Sequence, residues 1–237
     1  MSKSVCAIIG AGEGLGRALA AKFSSQGCDI ALISRTEAGS AEALKAAPGA
    51  RFFAADATKP QTLEAALAEV AAEMGEIDIL IYNARGSFAA CEPLQMTYDA
   101  LEEVYRLEVV GAFAAAKAVV PAMLERGRGS VFFSSATAAY RGSSSHPLYA
   151  IGKFGLRALS QSLTKAYAAR GVHFVHVRLD CDLDVPYMRA LYAEKSDPGA
   201  LADPDGVAES YWLTHLQPKS AWSNEIELRP HTERWTY

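Results

Sequence analysis

VCAIIGAGEGLGR, residues 5–17, runs from five apolar residues into a turn with glycine at 10, 12, 14 and 16. The apolar run has the length of a strand, and the residues from Gly14 to Gly27 follow a helical period. Glycines let a backbone turn tightly and approach a pyrophosphate closely. A helix start offers N–H groups without intrahelical partners and the positive end of the helix dipole. Alternating glycines alone are a weak signal. Between a strand and a helix, they predict a dinucleotide-binding turn. Gly10, Gly12, Gly14, Leu15 and Gly16 are therefore expected against the cofactor.

The pattern continues outward from that turn. Strand-like runs at 28–34, 51–56, 77–83, 130–135, 172–180 and 224–230 alternate with helical stretches. The helical stretches are an Ala-rich one ending near Pro48-Gly49, then 61–75, 97–125, 148–170 and 203–216. Such alternation predicts an α/β domain: a Rossmann-type, doubly wound parallel sheet of about seven strands with right-handed crossovers. The 237 residues, half of them apolar, fit one such domain over 1–237. The irregular segment 182–203 is the candidate substrate loop, with Tyr187, Met188, Tyr192, Pro198 and Gly199.

A net charge of −4 argues against a nucleic-acid partner. Cys6, Cys28, Cys91 and Cys181 are scattered without metal-ligand spacing, as thiols in a reducing compartment would be. His173 and His176 fall on opposite faces of a strand, so no metal site is expected. The first ten residues lack a signal-peptide pattern, and no uncharged run approaches the roughly 18–20 residues of a membrane span. A cytoplasmic, soluble protein is expected, with no membrane partner.

The second strand ends in Ser34 and Arg35. NAD-preferring folds usually carry an acidic residue here for the adenosine ribose. A guanidinium instead suits a 2′-phosphate, with Arg17 as a helper, which favours NADP(H) over NAD(H). Asp56 and Asn83 close the third and fourth strands, where ligands bind in open sheets. For each, a cofactor contact and a structural turn cap stand side by side.

FFSS (132–135) ends the fifth strand, and YAIGK (149–153) follows one loop later at a helix start. Tyr149 and Lys153, four apart, share a helix face. A nearby ammonium favours a phenolate, so the pair suits general acid–base work in hydride transfer to a carbonyl. A serine hydroxyl from the strand end would hold the substrate oxygen.

Taken together, GAGEGLGR (10–17), Asp56, YNA (82–84), FFSS and YAIGK resemble the short-chain dehydrogenase/reductase family over residues 5 to about 180. The resemblance implies an NAD(P)-dependent oxidoreductase acting on a small carbonyl or alcohol, often a homodimer or homotetramer. It implies Tyr149 as acid/base, Lys153 binding the nicotinamide ribose and favouring the phenolate, and Ser135 positioning the substrate oxygen. Ser134 and Thr137 stand as substitutes for Ser135, because the gap to Tyr149 is one residue longer than usual.

The departures from the family pattern are specific. Ile9 stands for a threonine, Arg85 for a glycine, and Asp180-Cys181 for Pro-Gly. Glu108 stands for the asparagine whose water relays protons to the lysine. Glu108 would pair with Lys153, replace that relay and, through its charge, oppose phenolate formation; a cap or salt bridge within its own helix is the rival reading. Two rival functions remain: a lyase, isomerase or cyclase using Tyr149 without net redox, and a nucleotide-binding sensor. Arg85, Tyr140, Arg141, His146, Asp182 and Tyr187 are expected at the pocket rim. Trp212, Trp222 and Trp235 are expected to seal the core or a subunit contact.

Overall fold

Strand-length apolar runs with no polar face must be covered on both sides, and that demand organises this chain. A computed structural model describes residues 3–86, 88–193 and 201–232, leaving aside the side chains at 187 and 191–193. Its elements are β1 (Val5–Ile9), α1 (Leu15–Ser25), β2 (Asp29–Ser34), α2 (Ala41–Ala46), β3 (Arg51–Ala54), α3 (Pro60–Met74) and β4 (Ile77–Tyr82). Then come α4 (Tyr98–Tyr105), a π-helical segment (Arg106–Gly111), α5 (Ala112–Arg126), β5 (Gly129–Ala136), α6 (Pro147–Tyr167) and β6 (Val172–Leu179). The chain continues with β7 (Asp182–Leu183), α7 (Pro186–Ala193), β8 (Leu201–Ala202), α8 (Pro204–His215) and β9 (Glu225–Leu228).

Seven strands form one sheet in the order β3-β2-β1-β4-β5-β6-β9. Every pairing in it is parallel. The order reverses between β1 and β4, which opens a crevice at their C-terminal ends. All five residues of β1 are buried, as a strand covered on both faces requires. One layer gathers Ile9, Tyr82, Phe133 and Phe174 under α3, α5 and α6. The other gathers Ile8, Leu32, Phe132 and Val177 under α1, α2 and α8. Trp212 packs edge-on against Phe23 at 5.4 Å, and Trp222 stacks on His173 at 4.5 Å. Trp235 lies outside the described residues.

Two stretches differ from the sequence expectation. The segment 182–203 is not irregular throughout: β7 and β8 pair in a two-stranded sheet, and α7 lies between them. Residues 194–200, with Pro198 and Gly199, lie outside the described residues. The helical run 97–125 is interrupted by the π segment, where Tyr82 donates its hydroxyl hydrogen to the Leu107 carbonyl. Tyr98–Arg126 is long and apolar enough by composition to cross a membrane, but half of that window is buried in the fold.

The two strand histidines lie on opposite layers. His173 accompanies Trp222, and its Nε2–H donates to the Ser223 carbonyl oxygen at 2.9 Å. His176 is fully buried beside Tyr140, and neither ring nitrogen has a hydrogen-bond partner. Among the described residues no cluster of His, Cys, Asp or Glu has the makings of a metal site.

Burial pushes the His176 imidazole down to about 4, with Arg157, Lys153 and Arg178 acting the same way and Glu225 opposing. A histidine held neutral contributes stability above its unfolded value near ~6.5, and that stability is lost as pH falls toward the folded value. Denaturant titrations should therefore show unfolding free energy falling by on the order of 3 kcal/mol between those limits. His176→Leu should flatten that window. Below it, acid loss should persist through Glu225, held down to about 2 chiefly by its hydrogen bonds from Arg157 against the opposing effect of burial.

Candidate active site

The glycines of the first turn have separate physical reasons. Gly10 has φ +84°, and a Cβ there would stand 2.6 Å from the Ala84 nitrogen and the Asn83 carbonyl carbon. Asn83 ties the two strand ends together: its Nδ2 donates to Gly10 O at 2.9 Å, and its N–H donates to Ile9 O at 2.8 Å. Gly16 is equally constrained, with a would-be Cβ 2.7 Å from the Ala11 Cα. Gly14 faces Val185, at 3.1 Å from the Cβ position, and Leu15 is buried at the root of α1.

Gly12 is different, because a Cβ there meets nothing within 4 Å. The N-cap of α1 is Gly14, which offers no side-chain acceptor to the first-turn N–H groups. An open glycine beside an uncapped helix start is the cradle that a pyrophosphate would fill. The residues present thus fit a nicotinamide dinucleotide.

At the adenosine end, Arg35 is exposed just beyond β2. The Ser34 hydroxyl donates to Thr36 O at 2.9 Å and meets Ser40 Oγ at 2.8 Å, so it shapes the turn that presents Arg35. Arg17, the suggested helper, donates its guanidinium to Asp205 of α8 at 2.7 Å. Asp56 caps its own turn, accepting from the Thr58 N–H at 3.0 Å and hydroxyl at 2.7 Å. Partial burial opposes its charge, but the Thr58 bonds and Lys59 hold the carboxyl below its ordinary value.

The chemistry gathers where β5 meets α6. Lys153 is almost fully buried, and its ammonium donates to Glu108 Oε2 at 2.8 Å and to Ser134 O at 3.1 Å. The same nitrogen lies 5.5 Å from the Tyr149 ring centroid. Glu108 has no exposed surface, and its Oε1 accepts from the Gly86 N–H at 2.9 Å. Burial works against the Lys153 charge. The Glu108 carboxylate and the Tyr149 phenol outweigh it, against a small opposition from Arg85, and raise the lysine above its ordinary value.

The three candidate hydroxyls are told apart by their partners. Ser134 Oγ pairs with Tyr211 Oη at 2.8 Å, inside the α8 layer. Thr137 donates to Asp180, which also pairs with Arg229 at 2.5 Å and Arg178 at 3.4 Å. Ser135 Oγ is buried and has no hydrogen-bond partner. Strand alternation places Ser135 with Phe133 on the α6 side, the side that carries Tyr149.

Several features were not foreseen from sequence. Phe88 meets the Tyr149 ring edge-on at 5.1 Å and stacks on His146 at 4.0 Å, forming an aromatic wall beside the phenol. Gly152 and Gly155 of α6 admit Glu108 and Val109: a Cβ at 152 would stand 2.8 Å from Glu108 Cγ. Tyr140 is a structural post. Its hydroxyl donates to Glu225 at 2.7 Å, and its ring lies under Arg157 at 3.7 Å and Arg178 at 4.6 Å. The side chain of Tyr187 lies outside the described residues.

Comparison with known proteins places this geometry in context. Residues 4–181 match the family model described as short chain dehydrogenase. A D-threitol dehydrogenase of Mycolicibacterium smegmatis is 32% identical over 173 residues, which are 71% of this chain and 66%, just under two thirds, of that protein. A short-chain dehydrogenase from Rhodopseudomonas palustris superposes with a TM-score of 0.80 at 28% identity, covering 96% of this chain and 99% of that one. A metagenomic short-chain oxidoreductase in complex with NADP superposes with a TM-score of 0.81 at 23% identity, covering 97% and 98%.

The glycines give an expectation that separates folding from binding. Gly10→Ala should cost on the order of 3 kcal/mol of stability, since strain at positive φ and a backbone clash coincide. Gly12→Ala should leave the thermal unfolding midpoint in place yet weaken NADPH binding at least about tenfold, or about 1.4 kcal/mol. Thermal unfolding and NADPH fluorescence titration measure the two effects.

Proposed function

Because the chain belongs to the short-chain dehydrogenase/reductase family, we propose that it is an NADP(H)-dependent oxidoreductase interconverting a small-molecule carbonyl and its alcohol. The observation that carries this reading is the Tyr149–Lys153 pair at the sheet's C-terminal edge, with an unpartnered Ser135 hydroxyl on the same side. The bound nicotinamide would supply or accept the hydride.

The chain's own residues have distinct tasks in this reading. Ser135 donates its hydrogen bond to the substrate oxygen. Tyr149 gives that oxygen a proton in reduction and takes it back in oxidation. Lys153 has three N–H donors, two of them occupied by Glu108 and Ser134 O, which leaves one for a nicotinamide ribose. Phe88 and His146 supply an apolar wall for the substrate. Arg35 faces the adenosine 2′-phosphate and sets the preference for NADP(H).

A homodimer or homotetramer goes with this reading. Tyr105, Phe113, Ile151 and Phe154, on the neighbouring helices α4, α5 and α6, all expose at least a third of their surface. The four free cysteines and the net charge of −4 support a cytoplasmic protein without nucleic-acid or membrane partners.

Incubation with NADPH and a panel of aldehydes and ketones, followed at 340 nm, tests the function. Turnover should fall at least about a hundredfold in Tyr149→Phe and clearly in Ser135→Ala, while Arg35→Ala should narrow the preference for NADPH over NADH. Tight NADPH binding without turnover of any carbonyl would favour non-redox chemistry or a sensor instead. Light scattering should give a multiple of the 25.3 kDa chain mass, and Phe113→Glu combined with Phe154→Glu should yield the monomer.

A further inference from the structure

The acid/base pair has an anion built against it. Glu108 is fully buried, and both carboxylate oxygens are engaged: one by Lys153 Nζ at 2.8 Å, the other by Gly86 N–H at 2.9 Å. The backbone makes room for it. Glu108 lies within the π segment, and Gly152 gives it space on α6. Its two bonds link α6 to the loop after β4, the loop that continues from Asn83 at the cofactor crevice.

The charges around Lys153 come from four elements. Arg85 acts on it from the loop after β4, Tyr149 from its own helix, His176 from β6, and Glu108 from the π segment. Tyr82 of β4 feels the Glu108 charge. Arg157 and Arg178 lie near His176 and are answered by Glu225 and Glu227. Among the described residues that bear directly on Lys153, Glu108 is the carboxylate. Its carboxylate stands 2.8 Å from the ammonium, so the two charges act on the phenol with opposite signs.

Resting on the oxidoreductase reading, we propose that Glu108 is a positioning residue that fixes Lys153 and offsets its pull on the Tyr149 proton, so that Tyr149 is kept in the phenol form that protonates a carbonyl oxygen. A lone ammonium would favour the phenolate, the form that oxidation of an alcohol requires. The carboxylate acts in the opposite sense to the ammonium and favours the phenol form that reduction requires. The group touching substrate is still Tyr149; Glu108 acts through Lys153.

The test compares Glu108→Gln and Glu108→Asp with the parent protein. In Glu108→Gln the alkaline limb of kcat/KM for reduction should move about one pH unit lower, a roughly tenfold loss above the limb. Glu108→Asp, which keeps the charge, should retain the parent limb. The same shift should appear without substrate or nucleotide, as the titration of Tyr149 in protein labelled with 13C in the tyrosine rings and assigned by Tyr149→Phe. An unmoved titration in Glu108→Gln, or an equal shift in Glu108→Asp, overturns the proposal. Glu108→Asn is a second neutral variant, smaller and with room for a water, should the glutamine variant fail to fold. If the parent protein turns over no carbonyl, the oxidoreductase reading fails, and the tyrosine titration still decides what Glu108 does to Tyr149.

Discussion

The close approach of two strand ends governs this molecule. At Gly10 the backbone leaving β1 comes so near Asn83 and Ala84, beyond β4, that no side chain fits between them. The sheet order reverses at this same point. A parallel sheet whose neighbouring crossovers go to opposite faces must leave a crevice there. The Asn83 side chain closes the contact with one hydrogen bond to Gly10 O. The position of the glycine turn, the start of α1 and the loop toward Gly86 all follow from that junction.

The second organising feature is the buried ion pair of Glu108 and Lys153. Removing two charges from water is costly, and a well-packed apolar pair is often no less stable. A fold that retains such a pair gains by giving its other donors and acceptors partners. Here Gly86 N–H takes the second carboxylate oxygen, and Ser134 O takes a second lysine hydrogen. Loss of one partner from a pair this deep typically destabilises by about 3–5 kcal/mol, because the other charge is then stranded. The π segment belongs to the same arrangement. Tyr82 holds the Leu107 carbonyl, and the widened turn carries Glu108. Such local departures from the regular helix often accompany functional sites.

The architecture was legible in the sequence because its signals are periodic and local. Strand-length apolar runs, helical stripes and the glycines between Ile9 and Arg17 depend on near neighbours in the chain. Tyr149 and Lys153 were legible for the same reason, since four residues span one helical turn. What escaped depends on contacts across the fold. Arg17 pairs with a residue 188 positions away. Ser134 and Ser135 look alike in sequence, and the partner that takes Ser134, Tyr211, lies 77 residues away. The π segment cannot be seen in RLEVVG, because Tyr82 lies 25 residues before the carbonyl it holds. Within 182–203, two-residue strands are too short for any pattern to announce them.

The contact between Glu108 and Gly152 has an evolutionary consequence. The glutamate's methylene groups occupy the space that an alanine methyl at 152 would need, since Glu108 Cγ is only 2.8 Å from that position. The order in which the two positions change therefore matters. A lineage could replace the glutamate with a shorter residue first and enlarge the glycine afterwards. The reverse order would drive the carboxylate off Lys153 before anything had replaced it. The path between this site and one built on a shorter side chain at 108 is thus open in one direction of substitution and obstructed in the other.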